Sequence, residues 1–255
     1  MHLSDLSIIV TGAASGMGRT FALELAREGA NVLAADLDAE GLASLQTEAD
    51  SLPGALATAE ANVADEDQVV AMVAAAIEAH GKVNALINNA GIFRDGLLIK
   101  KDRETGEIRK MSLRQWQSVI DVDLTGPFLC TREVAAAIAE NDWGPGVIVN
   151  ISSIARHGNP GQSNYSAAKA GLVADTTLWA KELSRHGIRV GAIAPGFVDT
   201  PILQGMRPEV LEHMLKAVPL RRVGSREEIF QAVRFILECD YFTGRCIDVD
   251  GGMSL

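Results

Sequence analysis

Short, continuous apolar runs alternate with helix-length amphipathic segments along almost the whole chain. The runs are SIIVTG (7–12), NVLAADLD (31–38), LATAEANV, VNALINNAG, GVIVNISS, IRVGAIAPG and RCIDVDGG. Between them lie MGRTFALELAREGA, EGLASLQTEAD, DEDQVVAMVAAAIEAHG, a long helical stretch over 112–140, a helix over about 163–186, and REEIFQAVRFILEC. Each helix carries the chain back to the start of the next strand, so such an alternation implies a parallel sheet. Runs as uniformly apolar as GVIVNI suit strands covered on both faces. The expectation is α/β: a single doubly wound Rossmann domain over 1–255, with a mostly parallel seven-stranded sheet and helices on both faces. With 47% apolar residues in 255, a large core is available, and no repeat or linker divides the chain.

Charge narrows the partners. A formal net charge of −10 argues against nucleic acid and anionic membrane. Cys130, Cys239 and Cys246 form no CxxC or Cys/His cluster, so neither zinc nor any other metal is expected, and each reads as a small buried hydrophobe. MHLSDLSIIVTGAASG lacks a basic leader, and no apolar stretch is long enough to span a bilayer. A soluble cytoplasmic protein is expected.

The first strand runs into Thr11-Gly12-Ala13-Ala14-Ser15-Gly16-Met17-Gly18 and then a helix. Glycines let a backbone turn tightly and approach a pyrophosphate, towards which the helix start aims its free N–H groups. The spacing is GxxxGxG rather than GxGxxG, so its position between strand and helix is the stronger signal. Asp36 ends the second strand, followed by Leu37. A carboxylate there accepts hydrogen bonds from an adenosine ribose and repels a 2′-phosphate, and no Arg or Lys precedes Gly18 in the turn. NAD is therefore favoured as cofactor over NADP. The alternative is that Asp36 caps the next helix.

Tyr165 and Lys169, in NYSAAKAG, are four apart on a predicted helix and share a face. A cation beside a phenol favours the phenolate, which would make the pair a tuned acid/base; taken alone, the same spacing also suits an ordinary surface helix.

With TGAASGMG, NNAG (88–91) and NYSAAK in order, the chain resembles the short-chain dehydrogenase/reductase family along essentially its whole length. Within the family it is similar to 3-oxoacyl-thioester reductases and short-chain 3-hydroxyacyl-CoA dehydrogenases. The resemblance places Gly12, Ser15, Gly16, Met17, Gly18, Asp36, Leu37, Asn62, Val63, Asn89, Ala90, Gly91, Pro195, Gly196, Val198 and Thr200 at the dinucleotide, together with Tyr165 and Lys169. It implies proton exchange by Tyr165, a lysine that also holds the nicotinamide ribose, a serine that positions the substrate oxygen, and a homotetramer. Counting thirteen residues back from the tyrosine selects Ser152, whereas aligning the strand VIVNISS selects Ser153 and a one-residue loop deletion. One residue of register turns a side chain to the opposite face, so only one serine can serve, and Ser153 is preferred.

The chain departs from the family at Asp123 in DVDLTG, where the resemblance implies an asparagine associated with a helix kink and a water chain to the lysine. Aspartate accepts the same hydrogen bonds but donates none while ionised. Near Lys169 it would hold the cation, oppose its effect on Tyr165 and shift the oxidative pH optimum upward, or it would replace asparagine with little consequence.

The segment 98–111, with ETGE between IKKDR and IRK, reads as a hairpin-like insertion. It suits either CoA phosphates or an acidic acyl carrier, or it is a solvated ribbon. Arg156 and His157 follow the serine as candidate pocket residues, and a lid is expected over about 200–220. The expected reaction interconverts a secondary alcohol and a ketone with NAD(H), with 3-hydroxyacyl/3-oxoacyl thioesters preferred as substrate. Aryl, cyclic or steroid alcohols, and a non-catalytic regulatory protein, are the alternatives.

Overall fold

The computed structural model describes residues 1–200 and 208–253. Seven strands form one parallel sheet: β1 (Ser7–Thr11), β2 (Asn31–Asp36), β3 (Leu56–Glu60), β4 (Ala85–Asn88), β7 (Gly146–Ile151), β8 (Ile188–Pro195) and β9 (Cys246–Val249), in the order β3-β2-β1-β4-β7-β8-β9. The order reverses between β1 and β4, and loops leaving the carboxyl ends of strands on either side of such a point diverge into a crevice. A separate antiparallel pair, β5 (Ile99–Lys101) and β6 (Ile108–Lys110), stands outside the sheet.

Strand periodicity divides the core. Ile8, Val10, Val32, Ala34, Ile87, Val147 and Val149 face one layer. There they meet Phe21 and Leu25 of α1 (Gly16–Arg27), Leu42 and Leu45 of α2 (Ala39–Ala49), and Ile229 and Val233 of α8 (Arg226–Glu238). Ile9, Leu33, Leu86, Ile148 and Val190 face the other, against α3 (Glu66–His80), α5 (Gly126–Glu140) and α6 (Ser163–Leu183). Alternate residues of one strand thus serve opposite layers, which explains why the sequence shows no polar alternation there.

The stretch expected to be one helix over 112–140 is interrupted. After α4 (Leu113–Ile120), residues Asp121–Thr125 form a π-helical turn, closed by Gly126 N–H donating to the Asp121 carbonyl, and α5 follows. Apolar periodicity passes through such a wide turn undisturbed, so the kink implied by the family resemblance at Asp123 is the only sign of it in the sequence. α6 stops at Leu183, and a 3₁₀ turn covers Ser184–His186. Of the three cysteines only Cys130 is fully buried, with its thiol pushed up to about 12 by burial. Cys239 and Cys246 are half-buried, which corrects the expectation that all three are interior. Residues 201–207 of the expected lid lie outside the described residues; α7 (Pro208–Leu215) comes after them. No helix among the described residues is long and apolar enough to cross a membrane.

The first turn of the sheet edge is built around Gly18. A β-carbon there would lie 2.1 Å from the Gly12 carbonyl oxygen. Gly18→Ala is expected to destabilise the fold by about 1–3 kcal/mol, read as a lowered melting temperature. An unchanged melting temperature would mean that the turn relaxes freely.

Candidate active site

The site is assembled at the carboxyl edge of β1, β4, β7 and β8. Thr11, at the end of β1, ties two loops together. Its hydroxyl accepts from the backbone N–H groups of Asn89 and Ala90, each at 3.1 Å. The Asn89 amide returns two bonds, to the Thr11 carbonyl at 2.9 Å and the Gly12 carbonyl at 3.1 Å. The glycine turn and the NNAG turn are therefore one rigid unit. Ser15 precedes α1 without a side-chain cap, so that helix's leading N–H groups are not engaged by it. The Asn89 side-chain oxygen is buried with no hydrogen-bond partner. Uncommitted donors and an orphaned acceptor on a glycine cradle fit a dinucleotide.

Asp36 lies beside this unit and does not cap α2; that cap is Asp38, which accepts from Gly41 N–H at 3.0 Å. The Asp36 carboxylate accepts instead from Ala14 N–H at 2.9 Å and Asp38 N–H at 3.1 Å. Leu37 is exposed. One cation passed over in the sequence also lies here. Arg19 donates to the Ala14 and Gly41 carbonyls and pairs with Glu48 at 2.8 Å. Asn62 accepts from Ala64 N–H, and Val63 is buried against Gly126. On the far side, Gly196 N–H donates to the Val249 carbonyl, Val198 bridges to Gly224, and Thr200 ends the described part of that loop.

Tyr165 and Lys169 share one face of α6, both buried, with the ammonium 5.4 Å from the centre of the phenol ring. The Lys169 ammonium donates to the Ile151 carbonyl at 3.0 Å and stands 3.2 Å from the Asp123 carboxylate. Asp123, fully buried in the π turn, takes a second bond from Ile92 N–H at 2.9 Å. Its other oxygen faces Lys169 and makes the ion pair. Gly91 leaves room for the pair: a β-carbon there would meet that oxygen at 2.9 Å. The wide π turn delivers the carboxylate into the site.

The two serines diverge. Ser152 is buried and donates to the Lys169 carbonyl at 2.9 Å, whereas Ser153 hydrogen-bonds the Tyr165 side chain and accepts from Ala155 N–H at 3.1 Å. Arg156 turns away to Asp248 on β9, 2.7 Å distant, and His157 is exposed.

Burial pushes the Tyr165 phenol above its ordinary range. Lys169 and the Ser153 hydrogen bond oppose that rise, while Asp123 and Asp95 add to it. Burial also raises the Asp123 carboxyl, against Lys169 and the Ile92 N–H. For Lys169, desolvation works to lower its value, but Asp123 and then Tyr165 outweigh it and hold the ammonium protonated. The chemical result is a protonated phenol beside a fixed cation and a hydroxyl, which can give a proton to an oxygen placed among them.

Sequence reasoning missed the other contacts of Tyr165. Phe93 packs on its ring with centroids 4.5 Å apart. Asn164 donates to the Arg94 and Gln115 carbonyls at 3.1 and 3.0 Å, joining α6 to the loop after NNAG. Only the positions of Phe93 just after that motif and of Asn164 next to Tyr165 could have signalled them.

The family profile described as Enoyl-(Acyl carrier protein) reductase matches residues 12–254. The 3-oxoacyl-[acyl-carrier-protein] reductase FabG of Thermotoga maritima is 41% identical over 100% of both chains. The 3-oxoacyl-[acyl-carrier-protein] reductase of Synechocystis is 38% identical, covering 97% of this chain and 96% of the relative. FabG of Staphylococcus aureus is 38% identical over 98% of each.

Removing the Asp123 charge removes one cause of the raised Tyr165 phenol. Asp123→Asn is expected to move ionisation of Tyr165 to lower pH. The measurement is phenolate absorbance against pH, with the Tyr165→Phe titration subtracted to isolate this ring. An unmoved curve would mean that asparagine and aspartate are equivalent here.

Proposed function

The chain belongs to the short-chain dehydrogenase/reductase family and is an oxidoreductase acting on CH–OH groups; on that premise we propose that it reduces 3-oxoacyl thioesters with NADH, with Tyr165 as the proton donor. The observation that carries this reading is the Tyr165–Ser153–Lys169 cluster beside the Thr11-stitched turns. The names of the relatives add the thioester class.

The glycine turn and the start of α1 would hold the pyrophosphate, Asp36 the adenosine ribose, Lys169 the nicotinamide ribose, and Asn62, Val63, Pro195, Val198 and Thr200 the remainder. A bound nicotinamide supplies the hydride that reaches the carbonyl carbon. Tyr165 supplies the matching proton to the oxygen, so ketone becomes secondary alcohol with atoms balanced. The Ser153 hydroxyl orients that oxygen and stabilises the charge developing on it. A phenol raised by burial stays protonated at neutral pH, which suits reduction. Asp123 pins the ammonium of Lys169 in place at the cost of a less acidic tyrosine.

The hairpin supports a thioester carried on a phosphate-bearing arm. It holds Lys100, Lys101, Arg103, Arg109 and Lys110 against Asp102, Glu104 and Glu107, in a chain of net charge −10. Both strands are exposed throughout. Arg109 is engaged by Asp102 at 2.9 Å, and Asp102 itself is tied to the turn N–H groups of Glu104 and Thr105. A basic ribbon on an acidic protein steers phosphates or an acidic carrier protein. Exposed Phe128 on α5 and Leu178 on α6 fit burial between copies in a homotetramer.

The test is steady-state reduction of acetoacetyl-CoA with NADH, with NADPH and an aryl ketone run alongside. Rapid NADH-linked turnover is expected, and Tyr165→Phe should lower it by about 100-fold or more. Turnover of the aryl ketone alone would discard the thioester, and full activity in Tyr165→Phe would discard the proton donor. Asp36→Ala removes the carboxylate that repels a 2′-phosphate and leaves Arg19 nearby. The ratio of kcat/KM for NADH over NADPH is expected to fall by about tenfold or more, and a constant ratio would place the selection elsewhere.

A further inference from the structure

We propose that Phe93 is the specificity-determining wall of the substrate site, the surface on which the hydrocarbon chain of the acyl group lies during reduction. This rests on the reading of Tyr165 as proton donor. Phe93 sits with its ring 4.5 Å from that of Tyr165, tilted by 39°, and is 39% exposed. The ring is thus in contact with the tyrosine on one side, and part of its apolar surface stays open beside the proposed proton donor.

The backbone that carries the ring is anchored on both sides. Before it, Ile92 N–H donates to Asp123 at 2.9 Å. After it, the Arg94 carbonyl accepts from Asn164, the Asp95 carboxylate accepts from Gln162 at 3.1 and 3.2 Å, and Gly96 N–H donates to the Gly161 carbonyl at 2.8 Å. Those partners belong to α6 and the loop leading into it, the same element that carries Tyr165. The segments that carry ring and phenol are therefore tied together, and the rings are in contact.

The chemistry of the two substrate arms selects the occupant. The thioester arm is polar, ends in phosphate and suits the basic hairpin. The acyl arm is hydrocarbon, and each methylene it lays against an aromatic face removes apolar surface from water on both sides. A single methylene in an apolar pocket is worth about 10-fold or more in selectivity. Phe93 should therefore make longer acyl chains better substrates than acetoacetyl, without altering the proton transfer itself.

The experiment compares kcat/KM for 3-oxooctanoyl and acetoacetyl N-acetylcysteamine thioesters in wild type, Phe93→Ala, Phe93→Gln and Phe93→Leu, each checked for an unchanged melting temperature. The ratio of long to short chain is expected to fall about tenfold in Phe93→Ala and Phe93→Gln, and to stay within about threefold in Phe93→Leu. Glutamine keeps the reach of the side chain, so it decides the matter if alanine does not fold. An unchanged ratio in both, or an equal fall for both substrates, overturns the proposal; the latter would make Phe93 a support for Tyr165 only. The same enzymes are assayed with 2-octanone and 2-butanone. If wild type reduces only these plain ketones, the thioester reading fails and the octanone-to-butanone ratio decides the role of Phe93 by the same criterion. Turnover of none of the four overturns both.

Discussion

A protonated lysine buried in the interior is a costly feature, and much of the site is arranged around it. Removing an ammonium from water costs several kcal/mol unless charge and hydrogen bonds replace the hydration. Here Lys169 is met by the Ile151 carbonyl at the end of β7 and by the Asp123 carboxylate in the π turn. The second oxygen of that carboxylate is in turn held by Ile92 N–H, in the loop that follows β4. One cation therefore holds together α6, β7, the π turn and the NNAG loop, and Tyr165 takes its position from the same helix.

The π turn makes this geometry available. A regular helix over 112–140 would keep its side chains on a constant spiral. The wider turn at Asp121–Thr125 changes that spiral locally and brings Asp123 to zero exposure beside Lys169. The same economy appears at the sheet edge, where a single hydroxyl on Thr11 fixes two loops that come from different strands. Parallel strands end side by side, so loops far apart in sequence meet at their carboxyl ends, and short side chains suffice to join them.

Much of the architecture is legible in the sequence. Seven apolar runs separated by helices match the seven parallel strands, because burial on both faces leaves a pattern that needs no knowledge of neighbours. The limits were local. The π turn left no mark in hydrophobic periodicity, which does not register a single widened turn; only the family resemblance pointed to a kink at Asp123. Residue type suggests that Cys239 and Cys246 are interior, but it does not report how close a position lies to the surface. Arg19 follows the glycine turn in sequence, so its spacing gives no sign that its side chain folds back to the Ala14 carbonyl.

By itself the sequence determined the sheet, the glycine turn at its edge, and the placement of Tyr165 and Lys169 on one helix face. Each of these depends on residues within one or two turns of chain, where spacing is geometry. Only the tertiary structure decided which serine meets the tyrosine, that Asp123 faces Lys169 as an ion pair, and that Phe93 lies on the Tyr165 ring. These contacts join segments from different strands and helices. Their partners are set by strand register and by how the layers close on the sheet, and no local pattern carries that information.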